Sequence, residues 1–182
     1  MEVYFIRHTT PEVEKGICYG QTDLTLLDAF EDQKRELIKA LPERFDAIYS
    51  SPLQRCSILA NSLRRDEELI LDDRLKEVDF GSWEMMAWDN IPSEEVNPWM
   101  SDFVNEAPPN GESMVDLQRR VLDWWEEVIR RKSDTIAVVT HAGVIRIMNA
   151  FLNDIPLKNA FDDFSIEYGG VKKFEFPEIK IE

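Results

Sequence analysis

Apolar residues fall into two kinds of run along this chain. Residues 2 to 6, 46 to 50, 69 to 71 and 136 to 140 are short, rich in β-branched, aromatic and aliphatic side chains, and give way to polar or turn-forming residues, the pattern of buried strands. Between them the apolar period lengthens. Leu27, Phe30, Leu37, Ile38 and Leu41 recur at helical spacing up to Pro42, and Ser51-Pro52 reads as an N-cap and first helical residue opening a helix to about Leu63. Met114, Leu117, Val121, Trp124 and Val128 line one helical face behind a capping box of Ser113 and Asp116, and Val144, Ile147, Met148 and Phe151 follow Ala142-Gly143 after the last of these strands. Strands alternating with amphipathic helices predict an α/β fold with a largely parallel sheet.

Two segments depart from this alternation. From Gly81 to Gly111, Pro92, Pro98, Pro108 and Pro109 interrupt any long helix while Trp83, Trp88, Trp99 and Phe103 add aromatic mass, so a partly helical, lid-like excursion over the sheet edge is expected at about 82–112. Phe164 to Phe176, around Gly169-Gly170, reads as a hairpin or edge strands. A chain of 182 residues suffices for one well-packed core and is short for two, so one domain spanning 1–182 is expected.

Charge narrows the partners. A net charge of -15 opposes nucleic acid and anionic membranes, and no run is apolar enough to span a bilayer. With no signal-like amino terminus and only Cys18 and Cys56, far apart, a cytoplasmic protein with two free thiols is expected. An anionic substrate would have to be met by a few basic groups focused in a cleft.

The two histidines of the chain both stand where an apolar run ends: Val3 to Ile6 leads to Arg7-His8, and Ile136 to Thr140 leads to His141. Ligands of open α/β sheets bind outside the carboxyl ends of the strands, so these imidazoles can converge on one pocket; the plainer alternative is two ordinary strand-end histidines. Arg7 and Arg55, the latter in the first turn of the helix after Ser51-Pro52, can fork a phosphoryl group beside a helix N-terminus, although a lone helical arginine is more often solvated. His8 is then the candidate nucleophile, because Arg7 beside it disfavours protonation, and His141 would stabilise charge on the phosphoryl oxygens as an imidazolium. A leaving alkoxide needs a proton from a partly buried carboxylic acid, for which Glu77 is the candidate, set among Leu75, Val78 and Phe80; taken alone it is one surface charge among many. The sequence has no His-rich or paired-carboxylate cluster for a metal, and no cofactor is expected.

Arg7-His8-Thr9-Thr10, Ser50-Ser51-Pro52-Leu53-Gln54-Arg55, Leu75 to Glu84, Pro108 to Ser113 and Val139-Thr140-His141-Ala142-Gly143 together resemble the histidine phosphatase, or phosphoglycerate mutase-like, superfamily. The resemblance implies a three-layer sandwich with a mostly parallel central sheet, a phosphohistidine intermediate on His8, phosphate clamping by Arg7, Arg55 and His141, proton donation by Glu77, and a small phosphorylated metabolite as substrate. Gly16 to Leu24 looks most like the α-ribazole phosphatases, which remove the 5'-phosphate of α-ribazole phosphate in cobalamin nucleotide-loop assembly, with Gln21 and Ala142 as substrate-binding candidates. A broad-specificity phosphatase or a phosphoglycerate mutase is the alternative; mutases of the family generally carry longer insertions and tails than this chain supplies. A phosphate-binding module without catalysis usually lacks the nucleophile or the acid, and here every role has a candidate. The chain departs from the family pattern at Thr9 and Met85, where Gly is usual, and in having no Asn six positions after His8. An aromatic base could stack on Trp88, Trp99 or Phe103, or these rings could simply pack the excursion onto the core.

Overall fold

The computed structural model describes residues 1–131, 133–162 and 164–176. Among the described residues, five strands form one sheet: β1 (Glu2–Arg7), β2 (Ala47–Ser50), β3 (Glu68–Leu71), β4 (Thr135–Thr140) and β5 (Val171–Glu175), in the order β3-β2-β4-β1-β5. The first four run parallel, and β5 closes the edge antiparallel to β1. Helices α1 (Phe30–Ile38), α2 (Gln54–Leu63), α3 (Ser93–Ser101), α4 (Met114–Val128) and α5 (Ala142–Leu152) complete the regular structure.

Successive strand side chains point to opposite faces, so the continuous apolar strands must be covered on both. Val3 and Phe5 of β1, Tyr49 of β2, and Ile136 and Val138 of β4 pack against Leu117, Val121 and Trp124 of α4 and Val144, Ile147 and Met148 of α5. The alternate residues, Tyr4, Ile6, Ile48, Ala137 and Val139, face Leu37 of α1 and Cys56, Leu59 and Ala60 of α2. This is the three-layer, mostly parallel arrangement expected. The capping box is present, with Ser113 and Asp116 each accepting from the other's backbone N–H.

Several local expectations are corrected. α1 is shorter than the run from Leu27 to Leu41, because Leu26 bridges to Pro11 and Leu27 N–H donates to Thr10 O before the helix starts. α2 begins at Gln54 rather than Pro52, and Ser51 is not its N-cap; Asp23 Oδ1 accepts the Gln54 N–H instead, at 2.7 Å. Of the two forms expected for the tail, the described residues show an edge strand, while residues 166–170 are engaged with Arg7 and His8. Pro98 lies inside α3, which stays short.

In the excursion, Met85 has φ +66° and is 48% exposed, so an L side chain sits in a left-handed conformation with little packing to offset it. Met85→Gly is expected to raise stability by about 0.5–1 kcal/mol, the relieved strain exceeding the entropy glycine adds to the unfolded chain. Urea denaturation reads this directly, and a destabilised variant would mean that Met85 is held by packing after all.

Candidate active site

Strand register brings the histidines together. Arg7 is level with Thr140 across the β1–β4 pair, so the next residues, His8 and His141, leave the sheet side by side at its carboxyl end. Their ring centroids are 5.1 Å apart, with planes inclined at 62°. Both are buried, at 2% and 0% exposure. Ser51, leaving β2 beside them, places its hydroxyl 2.8 Å from His141 Nε2, and the buried thiol of Cys56 lies 3.5 Å from the same nitrogen. The Ser51 oxygen also accepts the Leu53 N–H at 3.4 Å, so it lies between the imidazole and the turn before α2.

The tautomer of His8 follows from its partner. Nδ1 lies 2.7 Å from Thr9 O, and a carbonyl can only accept, so Nδ1 carries the hydrogen and Nε2 keeps a lone pair. Burial, then the charge of Arg55 and lastly that of Arg7, push this imidazole well below its ordinary pKa of 6.5, although the Thr9 carbonyl favours the protonated form. The direction anticipated from Arg7 holds, with burial as the main cause. Burial, then His8, Arg55, Arg120 and Arg7, likewise hold His141 well below 6.5. These causes favour the neutral ring, and an anion close by would favour the imidazolium expected from the sequence.

These shifts carry a stability consequence. Folded imidazoles held neutral cost nothing above the unfolded pKa of 6.5, but below it the unfolded chain takes up protons that the folded site refuses, so stability falls as pH drops toward the folded values. The melting temperature is expected to fall between pH 6.5 and 5.5, before the carboxylates titrate, and His141→Asn should reduce the slope. A flat profile across that window would contradict neutral burial of the two rings.

The two guanidinium groups border the imidazoles. Arg7 Nη1 donates to Ile166 O at 2.6 Å, and its guanidinium carbon lies 3.8 Å from the centroid of the Tyr168 ring. Arg55, fully buried, donates Nη1 to Thr22 O at 2.7 Å and Nη2 to Gly20 O. The Tyr168 hydroxyl meets that of Tyr19 at 2.6 Å, and the Tyr19 ring lies 5.6 Å from the Arg55 guanidinium carbon, so two linked phenols connect the cations. Among the described residues, the buried side-chain polar atoms without a hydrogen-bond partner include Arg7 Nε, Arg55 Nε and Thr9 Oγ1. All three belong to residues flanking His8. Each buried unpaired donor costs about 1–3 kcal/mol, a cost that an anion with several acceptor oxygens would remove.

Glu77 follows a short 3-10 turn at Asp73–Leu75. Its carboxylate accepts the Val78 N–H at 3.0 Å and the Gly143 N–H at 3.1 Å, which fastens it across the start of α5. A Cβ at position 143 would overlap Glu77 Oε1, so only glycine permits this approach. The Glu77 carbonyl accepts from Gln21 Nε2 at 3.1 Å and Arg120 Nη2 at 2.8 Å; Arg120 also donates to Arg74 O and Lys76 O, both at 2.7 Å, and pairs with Glu112. Gln21, expected at the substrate, thus spends its amide on the backbone of Glu77. Ala142 is the buried first residue of α5, between His141 and Gly143.

Glu84 organises the loop that holds Arg55. Its carboxylate accepts from the backbone of Gly20, Gln21, Thr22 and Phe80 and from the Thr22 hydroxyl. Burial alone would raise its pKa, but these hydrogen bonds together hold it below the ordinary carboxylate value. Glu84, Arg120, Tyr19 and Tyr168 are site residues that the sequence did not single out by role. Glu84 and Tyr19 carried a signal, their places in the Leu75 to Glu84 and Gly16 to Leu24 motifs.

Beside Glu77 opens a cavity of about 310 Å³, walled by Phe80, Trp99, Phe103 and Phe161, with Arg146 as the other charged lining residue. Trp88 stacks on Trp99 at 5.9 Å and meets Trp83 edge-on, so it packs the excursion, while Trp99 and Phe103 both pack and line. Among the described residues no group of three or more His, Cys, Asp or Glu is placed to hold a metal, and no helix is long and apolar enough to cross a membrane.

Fold and sequence together define a phosphatase. The chain belongs to the histidine phosphatase superfamily, matching its branch 1 over residues 3–181. It is 29% identical over 165 residues to phosphoserine phosphatase 1 of Hydrogenobacter thermophilus, covering 86% of this chain and 78% of the relative. It is 28% identical over 168 residues to glucosyl-3-phosphoglycerate phosphatase of Mycolicibacterium vanbaalenii, covering 85% and 75%. The crystal structure of the α-ribazole phosphatase from Shigella flexneri superposes with a TM-score of 0.90 over 98% of this chain and 92% of that one; at 23% identity this likeness speaks for the fold alone.

Proposed function

We propose that the protein is a metal-independent phosphomonoesterase working through a phosphohistidine. His8 Nε2 attacks phosphorus in line, the ester P–O bond breaks, and the leaving alkoxide takes the proton of Glu77. Glu77, now a carboxylate, removes a proton from water as that water attacks the phosphohistidine; phosphate leaves, and both residues return to their starting forms. Arg7, Arg55 and His141, which takes a proton from solvent as the arriving anion favours its charged form, supply positive charge to the phosphoryl oxygens. The observation that carries this reading is the set of unpaired donors on Arg7, Thr9 and Arg55 around an imidazole whose Nε2 lone pair is free.

The substrate favoured is α-ribazole 5'-phosphate. Its flat benzimidazole suits a cavity walled by Phe80, Trp99, Phe103 and Phe161, and the loop from Gly16 to Leu24 resembles that of α-ribazole phosphatases. The 82–112 excursion serves as the roof over this leaving group within one catalytic domain. Initial rates on α-ribazole phosphate, phosphoserine and 3-phosphoglycerate test the assignment: kcat/KM should favour the first at least about tenfold. A flat panel removes the substrate assignment while leaving the phosphatase. EDTA should leave the rates unchanged, and a chelator-sensitive rate would end the metal-free scheme. Glu77→Gln should slow alkyl esters by about a hundredfold or more but p-nitrophenyl phosphate much less, because nitrophenolate needs no proton to leave. Equal losses on both would take the proton-donor role from Glu77.

A further inference from the structure

Arg146 has no part in the chemistry above, yet it occupies the leaving-group cavity. It lies three residues after Gly143 on α5, and residues so spaced share a helix face. Since the Gly143 N–H holds the Glu77 carboxylate, Arg146 stands one helical turn beyond the mooring of the group that meets the ester oxygen. Its Nε donates to Phe164 O at 3.2 Å, and its guanidinium carbon lies 5.1 Å from the Phe161 centroid. These contacts fix the plane of the group while using one of its five donors. Among the described residues, no carboxylate lies within ion-pairing distance of it, and its terminal nitrogens make no hydrogen bond to protein. An oriented, half-buried cation in an apolar cavity is a poor device for holding hydrocarbon and a good one for holding oxygen.

We infer that Arg146 is a specificity-determining residue that takes an oxygen acceptor carried a few bonds from the ester oxygen, and so favours phosphate esters of oxygen-bearing alcohols over plain aryl esters. The inference rests on the phosphatase reading above. Two sources of such oxygen are open to it, the hydroxyl groups of a sugar and a carboxylate. The aromatic walls then hold whatever flat or apolar part lies beyond.

The test compares wild type with Arg146→Met and Arg146→Lys on ribose 5-phosphate, phosphoserine and phenyl phosphate. Phenyl phosphate keeps the phosphoryl group and a ring but has no second oxygen function. For the wild type, no turnover of any ester defeats the phosphatase reading itself. Given turnover, Arg146→Met should lower kcat/KM for at least one oxygen-bearing ester by about tenfold to a hundredfold, mainly through KM, with phenyl phosphate nearly unchanged. A larger fall on ribose 5-phosphate assigns sugar hydroxyls as the acceptor, and a larger fall on phosphoserine assigns a carboxylate. Arg146→Lys, which keeps the charge and most of the stem, should recover part of the loss and covers the case in which the methionine variant does not fold. Equal falls on all three esters, or none on either oxygen-bearing ester, overturn the inference.

Discussion

His8→Asn should reduce phosphate release by roughly ten-thousandfold or more, because the variant loses the Nε2 lone pair that attacks phosphorus in the proposed scheme. Wild type mixed briefly with a labelled ester and quenched in alkali should carry a phosphoryl group that acid removes, as a phosphorus–nitrogen bond requires, and the variant should carry none. Asparagine keeps a hydrogen-bonding side chain in the buried position, so a melting curve separates lost chemistry from lost folding. Substantial turnover by a folded variant, or an acid-stable phosphoryl group on the wild type, would remove His8 as the nucleophile.

Arg55→Met should separate function from stability. The guanidinium is fully buried and near Arg7, His8 and His141, and among the described residues it has no carboxylate within ion-pairing distance. Burying an unpaired cation costs several kcal/mol, and the two carbonyls of Gly20 and Thr22 only partly offset it. Methionine fills much of the same volume without charge. Activity should fall about a thousandfold, whereas stability in phosphate-free buffer should stay within about 1 kcal/mol of wild type or exceed it. The thermal stabilisation of wild type by added inorganic phosphate should be weakened in the variant. A variant that is fully active, or one that unfolds, would show that Arg55 serves the loop rather than the anion.

How much of this was legible beforehand depends on how local each signal is. The strand-end placement of His8 and His141 and the apolar period of α4 are written in neighbouring residues, and the structure keeps them. Ser51-Pro52 has the local chemistry of a cap, but the helix starts at Gln54, whose N–H goes to Asp23, and the Ser51 hydroxyl meets His141, ninety positions away in sequence. The motif marks Gln21 for substrate, and the contact of its amide nitrogen with the Glu77 carbonyl is set by tertiary packing that the motif does not show. Arg120 looks like any polar residue on an amphipathic helix until the turn from Arg74 to Glu77 folds onto it. Contacts between segments distant in sequence leave no periodicity to read.

The segment from Ile166 to Gly170 has a consequence for how the protein is made. Ile166 O receives a donor from Arg7, Gly169 N–H donates to His8 O, and Arg7 N–H donates to Gly170 O. Arg7 and Ile166 are 159 positions apart, so the backbone that steadies this end of β1 is translated long after the strand itself. A nascent chain therefore cannot close these contacts around Arg7 and His8 until residues 166–170 have been made.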